Sequence, residues 1–114
     1  MKKGKRKKRV ITLALVLIIT AAVSLFLNEQ NDRQKVLQSL LQKEFSISPS
    51  SYTTTSTVNK FGYMYTLAFK DEPKITYDFF VKTNKKNEYI VNYYGHNSKT
   101  ESPLKEQEFM TLNQ

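Results

Sequence analysis

The 114-residue chain carries a formal net charge of +8, with no cysteine, no tryptophan, three glycines and one histidine. Seven of its eighteen basic residues fall in residues 1–9, residues 10–27 carry no charge, and residues 28–114 hold eleven basic and ten acidic side chains. Such a near-neutral domain behind a cationic, apolar leader excludes a multidomain enzyme, a disulfide-stapled mini-protein and a protein basic over its whole surface.

Residues 10–27 (VITLALVLIITAAVSLFL) are apolar apart from Thr12, Thr20 and Ser24. As an α-helix they reach about 27 Å, against roughly 30 Å for the hydrocarbon layer of a bilayer. A helix suits that depth because it satisfies its backbone N–H and C=O groups internally. Seven cations precede the run and Asn28-Glu29-Gln30-Asn31-Asp32 follow it, so the positive-inside bias sets the direction. Residues 1–9 are expected in the cytoplasm, 10–27 as a transmembrane helix, and 28–114 as a small extracytoplasmic domain of a single-pass membrane protein.

A buried core helix is the blander reading, but the 87 residues that remain could not enclose so long a run with no polar face. A cleaved signal peptide is the serious rival, because Ala22-Val23-Ser24 offers small residues at a cleavage point. Against it, the run exceeds the ~7–15 residues of a signal core, and Leu25-Phe26-Leu27 would become a greasy new terminus. The uncleaved anchor is favoured. With no Cys to acylate, a lipoprotein is excluded. The basic leader has no aromatic to stack on a base, so anionic lipid headgroups, and not nucleic acid, are its expected contact.

Residues 29–45 read as a helix whose apolar stripe is Val36, Leu37, Leu40, Leu41 and Phe45, at period 3.6. Asp32 could cap it, or it could run on from the membrane segment. The stripe spans little more than one heptad, so packing is favoured over dimerisation. In residues 46–57 (SISPSSYTTTST), Pro49 bars Ser48 from helical geometry, and the segment reads as a connector ending in an edge strand.

Residues 58–94 alternate with period two. Tyr63, Tyr65, Leu67 and Phe69 form one series, Ile75, Tyr77, Phe79 and Val81 a second, and Tyr89, Val91 and Tyr93 a third. Turns fall at residues 70–74 and 84–87. Pairing Phe69 with Ile75 sets Leu67 opposite Tyr77, Tyr65 opposite Phe79 and Tyr63 opposite Val81, and a one-residue slip would set Leu67 against Asp78. The same logic pairs Val81 with Tyr89, Phe79 with Val91 and Tyr77 with Tyr93, around a connection centred on Lys85.

These registers align Met64, Phe80 and Ile90 on the reverse face, beside Thr66, Asp78 and Asn92, then Ala68, Thr76 and Tyr94. The helix covers the first face. The C-terminal segment, with Pro103 able to start a helix and Leu104, Phe109, Met110 and Leu112 able to reach back, is the first expectation for the second. The functional alternative leaves Met64, Phe80 and Ile90 as a docking patch, with Asp78 and Tyr94 around them. Asp78 is expected to pair with Lys70 or Lys82.

Chemistry is sparse. His96 sits among Gly, Asn and Ser in a stretch, 95–102, that reads as a mobile loop. Asp71-Glu72 lack the further oxygens a calcium site needs, and zinc spacing and phosphate-cradling glycine loops are absent. No catalytic residue, cofactor or metal is expected. A hydrolase using His96 would require Ser or Asp within hydrogen-bond distance of the ring.

Phe69-Lys70-Asp71-Glu72-Pro73, followed by Ile75, Tyr77 and Phe79-Phe80, resembles a family of short, mainly Gram-positive proteins known only as a domain of unknown function. The resemblance implies a lysine-rich start, one membrane helix, a small extracytoplasmic α+β domain and a bacterial origin. It transfers no functional residue.

The reading is therefore an α+β chain: a transmembrane helix, an amphipathic helix packed on a three-stranded antiparallel meander, and a short C-terminal helix. Its expected function is a non-catalytic, membrane-anchored interaction domain, with the bilayer and a membrane or cell-envelope protein as partners. The alternative is a secreted small inhibitor or effector released by cleavage near Ser24.

Overall fold

A computed structural model describes residues 2–98 and 101–114, with side chains from Lys7 onward. Met1, Lys99 and Thr100, the latter two inside the stretch read as a mobile loop, lie outside the described residues, as do the side chains of residues 2–6 in the basic leader. The elements in chain order are a helix α1 (Lys2–Phe45), strands β1 (Tyr52–Asn59), β2 (Gly62–Phe69), β3 (Thr76–Thr83) and β4 (Tyr89–Asn97), and a short helix α2 (Glu106–Met110). One-turn 3₁₀ segments precede β1 at Pro49–Ser51 and follow α2 at Thr111–Asn113. The fold is α+β, with a long apolar N-terminal helix and a four-stranded antiparallel sheet in the order β1-β2-β3-β4. Compact packing divides the chain into residues up to Asn31 and Asp32–Gln114.

In the first unit the apolar run lies wholly on a helical surface, from Val10 at 65% exposure to Leu25 at 71%. Two of its polar members are satisfied within the helix: Thr12 Oγ1 donates to Lys8 O and Thr20 Oγ1 to Val16 O, both at 2.8 Å. Back-bonding of this kind lets a hydroxyl sit in an apolar helix without an unpaired donor.

The second unit builds its core from the two periodicities. Leu37 and Leu41 of α1 are fully buried, and Val36, Leu40 and Phe45 pack half-buried beside them. Asp32 lies inside α1 and does not cap a new helix. The helix ends where Ser46 takes the left-handed conformation (φ 57°), with Ser46 N donating to Gln42 O and Ile47 N to Leu41 O. Beneath the helix lie Tyr65, Leu67, Phe69, Ile75, Tyr77, Phe79, Val81, Val91 and Tyr93, all on one face of the sheet. Arg33 ties the start of this helical stretch to the sheet. Its Nη1 donates to Val81 O at 2.6 Å, and its guanidinium lies 4.1 Å from the centre of the Tyr63 ring and 5.5 Å from that of Tyr89.

The β2–β3 register agrees with expectation, with Leu67 opposite Tyr77, Tyr65 opposite Phe79 and Tyr63 opposite Val81. Four other expectations are corrected. The threonine-rich segment ends in an edge strand, as expected, but its pairing with β2 from Tyr52↔Phe69 to Asn59↔Gly62 makes the sheet four-stranded and not a three-stranded meander. Its β-branched residues suit a pleated edge.

The β3–β4 register is shifted by two residues, with Val81 opposite Val91 and Phe79 opposite Tyr93. Asn84 sets that shift. Its Oδ1 accepts from the backbone N–H of Lys86 and Glu88, both at 2.9 Å, and Asn84 N donates to Glu88 O at 2.9 Å. The connection is thereby five residues long, Asn84–Glu88, with Asn87 left-handed at φ 60°. A bulge at Asp78/Phe79 leaves Tyr94 unmatched, and β4 then continues through Gly95 and His96 to Asn97, residues expected in a loop.

Finally, the C-terminal segment covers the same face as α1. Phe109 is fully buried, with its ring 5.0 Å from Phe79, 5.2 Å from Tyr77 and 5.4 Å from Phe45. Those aromatic partners exist only on the inner face, so the segment docks there and not on the reverse face where it was expected.

Candidate interaction surface

The reverse face carries the residues singled out from sequence, though not in one line. Met64 lies opposite Phe80, as expected, but the row continues to Asn92, while Ile90 lies opposite Lys82. The two-residue shift of β4 is the cause. Met64 is half-buried and Phe80 is 5% exposed. Phe80 is covered sideways: the Tyr94 ring meets it edge-on at 5.4 Å, and Lys82 Nζ lies 5.3 Å from its ring centre. Tyr94 itself is 68% exposed, since the bulge sets it outside the ladder, and Ile90 is 40% exposed.

Asp78 is half-buried and accepts a hydrogen bond from Thr66 Oγ1 at 2.6 Å. Among the described residues it forms no ion pair with Lys70 or Lys82, so that expectation is corrected. The cross-strand threonine satisfies the carboxylate at shorter reach. The surface is therefore an aromatic and aliphatic ridge of Tyr94, Phe80 and Ile90 on β3 and β4, beside Met64 and Thr66 of β2, and not a flat three-residue stripe.

Polar chemistry concentrates elsewhere, where the β2–β3 turn meets the C-terminal segment. Glu72 is 5% exposed. Its carboxylate accepts from Tyr77 Oη at 3.0 and 3.1 Å, from Leu104 N at 3.1 Å and from Lys105 Nζ. Lys105 Nζ also contacts both Asp71 oxygens at 3.1 Å and lies 4.6 Å from the centre of the Phe69 ring, while Lys105 N donates to Tyr77 Oη at 3.2 Å.

Burial alone would push the Glu72 carboxyl up, but donated hydrogen bonds and the Lys105 charge outweigh it and hold the carboxyl below its usual range. Burial likewise works against the Lys105 ammonium, and its two carboxylate partners overcome it and raise its pKa. Burial, reinforced by Glu72, pushes Tyr77 up to about 12. Every group in this cluster is spoken for, so it reads as a staple fixing the C-terminal segment to the sheet. Three of the five FKDEP residues thus have structural work: Phe69 in the core, Asp71 and Glu72 on Lys105.

A second cluster surrounds His96. Its Nδ1 meets Glu106 Oε2, which also accepts from Tyr93 Oη at 3.2 Å, and the imidazole is half-buried. Burial raises the Tyr93 phenol well above its ordinary value, with the Glu106 charge adding to it. The partner of His96 is thus a glutamate beside a phenol. Next to it, Asn113 closes the outer edge of β4 with its side-chain amide: Tyr93 N donates to Asn113 Oδ1 at 2.9 Å and Asn113 Nδ2 donates to Tyr93 O at 2.8 Å.

An open hollow of about 480 Å³ lies between Ser46–Ser48, Ser51 and the Lys70-Asp71 turn, with Lys105 on its wall. Of the two lysines that line it, Lys105 is already committed to Asp71 and Glu72, and Ser51 Oγ donates to Ser48 O at 2.6 Å. Among the described residues no cluster of three or more His, Cys, Asp or Glu could hold a metal ion.

Sequence reasoning weighed Glu72 only as half of an incomplete cation site and missed Lys105, Glu106 and Asn113. The C-terminal partners lie 10 to 34 residues from the groups they hold and share no periodicity with them. No family model, no curated protein and no solved structure matches this chain.

Proposed function

We propose that the chain is a single-pass membrane protein carrying a non-catalytic interaction unit at the extracytoplasmic surface, and that the Tyr94–Phe80–Ile90 ridge is where it meets a protein partner. The observation that carries this reading is the contrast between the two faces of the sheet. One is closed by α1 and Phe109, while the other keeps a 68%-exposed tyrosine and a 40%-exposed isoleucine beside Phe80. The helix before the unit is long and apolar enough to cross a bilayer, with none of its apolar window buried. A tether raises the effective concentration of such a ridge at the membrane, so a modest affinity suffices.

The test is a photo-crosslinking amino acid placed at Tyr94 in the full chain in its native membrane, with a second placed at Thr83 as a control. A single adduct at position 94, absent at 83 and lost on Ile90→Asp, supports the reading. Equal labelling at both positions contradicts it. The released-effector reading keeps one observation in its favour, the small residues Ala22-Val23-Ser24, and a mature chain beginning at Leu25 would establish it.

A further inference from the structure

The two ends of the folded unit differ in charge. Beyond the row Val58–Tyr63–Val81–Val91 the sheet ends in two turns, the β1–β2 turn at Lys60-Phe61 and the β3–β4 turn at Asn84–Glu88. This end presents Lys60, Lys82, Lys85 and Lys86, all exposed, together with Arg33 of α1, against the carboxylates of Glu88 and of Asp32 beside Arg33. At the other end the β2–β3 turn and residues 101–110 carry Asp71, Glu72, Glu101, Glu106 and Glu108 against Lys70, Lys74 and Lys105. A unit with nearly balanced charge is thus polarised along its strands.

The basic end also carries Phe61 at 60% exposure, at the tip of the β1–β2 turn. Nothing in that turn asks for an aromatic. Asn59 Oδ1 accepts from Phe61 N at 2.8 Å, and Gly62 at φ 123° supplies the left-handed step, so position 61 needs only a backbone. The ring packs in no core and has Lys60 Nζ 5.1 Å from its centre. A solvent-directed aromatic among lysines is the composition of surfaces that rest at the headgroup level of a bilayer.

Chain connectivity supplies the third argument. Arg33, bound to Val81 O and lying against Tyr63 and Tyr89, belongs to this same end. It follows the last apolar residue, Leu27, by six positions, a span of at most about 22 Å even if fully extended. The basic end is therefore the end leashed to the apolar run.

From these observations we infer that the Lys60-Phe61 and Lys85-Lys86 turns, with Lys82, form a binding surface for anionic lipid headgroups, which Phe61 enters at the tip. The inference rests on the membrane-anchored reading above and adds a second lipid contact to it, made by the folded unit itself. Such a contact limits how the tethered unit can turn and leaves the acidic end facing away from the bilayer.

The absence of tryptophan makes the test direct. The full chain carrying Phe61→Trp, and separately Lys74→Trp at the acidic end, is reconstituted into vesicles with lipids brominated near the headgroup. The vesicles are phosphatidylcholine alone or an equimolar mixture with phosphatidylglycerol. The expected result is strong quenching of Phe61→Trp in the anionic vesicles only. That quenching is lost at high salt and on adding Lys60→Gln, Lys85→Gln and Lys86→Gln, which should reduce the contacting population more than about tenfold. Lys74→Trp should stay unquenched throughout. Equal quenching in both lipids, insensitivity to the lysine changes, or equal quenching at position 74 overturns the inference. Flotation separates the two failures: a chain that does not float with vesicles removes the anchor reading itself, whereas one that floats without quenching at position 61 removes only the headgroup surface.

Discussion

Glu72 accepts from three donors, Tyr77 Oη, Leu104 N and Lys105 Nζ, in a nearly water-free place, and Lys105 depends on it. Glu72→Gln leaves a largely buried ammonium with only the exposed Asp71 as a charge partner. The expected cost is about 3 kcal/mol of stability, measured by unfolding the full chain in detergent and following the near-ultraviolet dichroism of its tyrosines. Adding Lys105→Met should recover a large part of that loss, because the stranded charge is then gone.

The pH dependence follows with a definite sign. The Glu72 carboxyl is held below its ordinary 4.5, so its contribution is complete above that pH and is lost as pH falls through the folded value. Lys105 lies above its ordinary 10.5, and Tyr77 rises from 10.0 to about 12. Their contributions are complete below the ordinary values and are lost as pH rises through the folded ones. Glu72→Gln should therefore flatten the acid side of the stability profile. Tyr52 gives a residue-scale test of opposite sign: its buried hydroxyl has no hydrogen-bond partner among the described residues. Tyr52→Phe should leave stability unchanged or raise it by about 1 kcal/mol.

At the scale of elements, the edge of β4 beside Tyr93 is closed by Asn113, whose amide imitates one residue of a neighbouring strand. Asn113→Ala should cost about 1 kcal/mol and raise hydrogen exchange selectively at the Tyr93 amide. A uniform rise across β4 would mean that the C-terminal turn holds the whole strand and not one residue pair.

What was readable in the sequence divides along physical lines here. Alternation assigned the inward faces of β2 and β3, and a one-residue slip was excluded because it would bury Asp78. A two-residue slip returns every side chain to its own face, so alternation was blind to the shift that moved Ile90 from Phe80 to Lys82. The information lay in Asn84, whose side chain fixes the turn length, and in the bulge that displaced Tyr94. The helix stripe Leu37–Leu41 was legible from its period, whereas Phe109 belonged to a five-residue helix too short to show one. The ridge of Tyr94, Phe80 and Ile90 was thus legible as residues but not as an arrangement.

At the scale of the whole molecule, an apolar helix that none of the described residues bury precedes a folded unit with a complete core on one side of its sheet. Under the membrane-anchored reading proposed above, its charge polarity, its exposed ridge and its short connection to Leu27 are all accounted for by a bilayer beside the unit. The most direct measurement is the intact mass of the protein recovered from membrane and soluble fractions of cells that make it. The account expects the mass of the uncleaved chain, about 13.3 kDa, in the membrane fraction and resistant to alkaline carbonate. A product lacking residues 1–24 outside the cell, or the uncleaved chain dissolved in the cytosol, would contradict it.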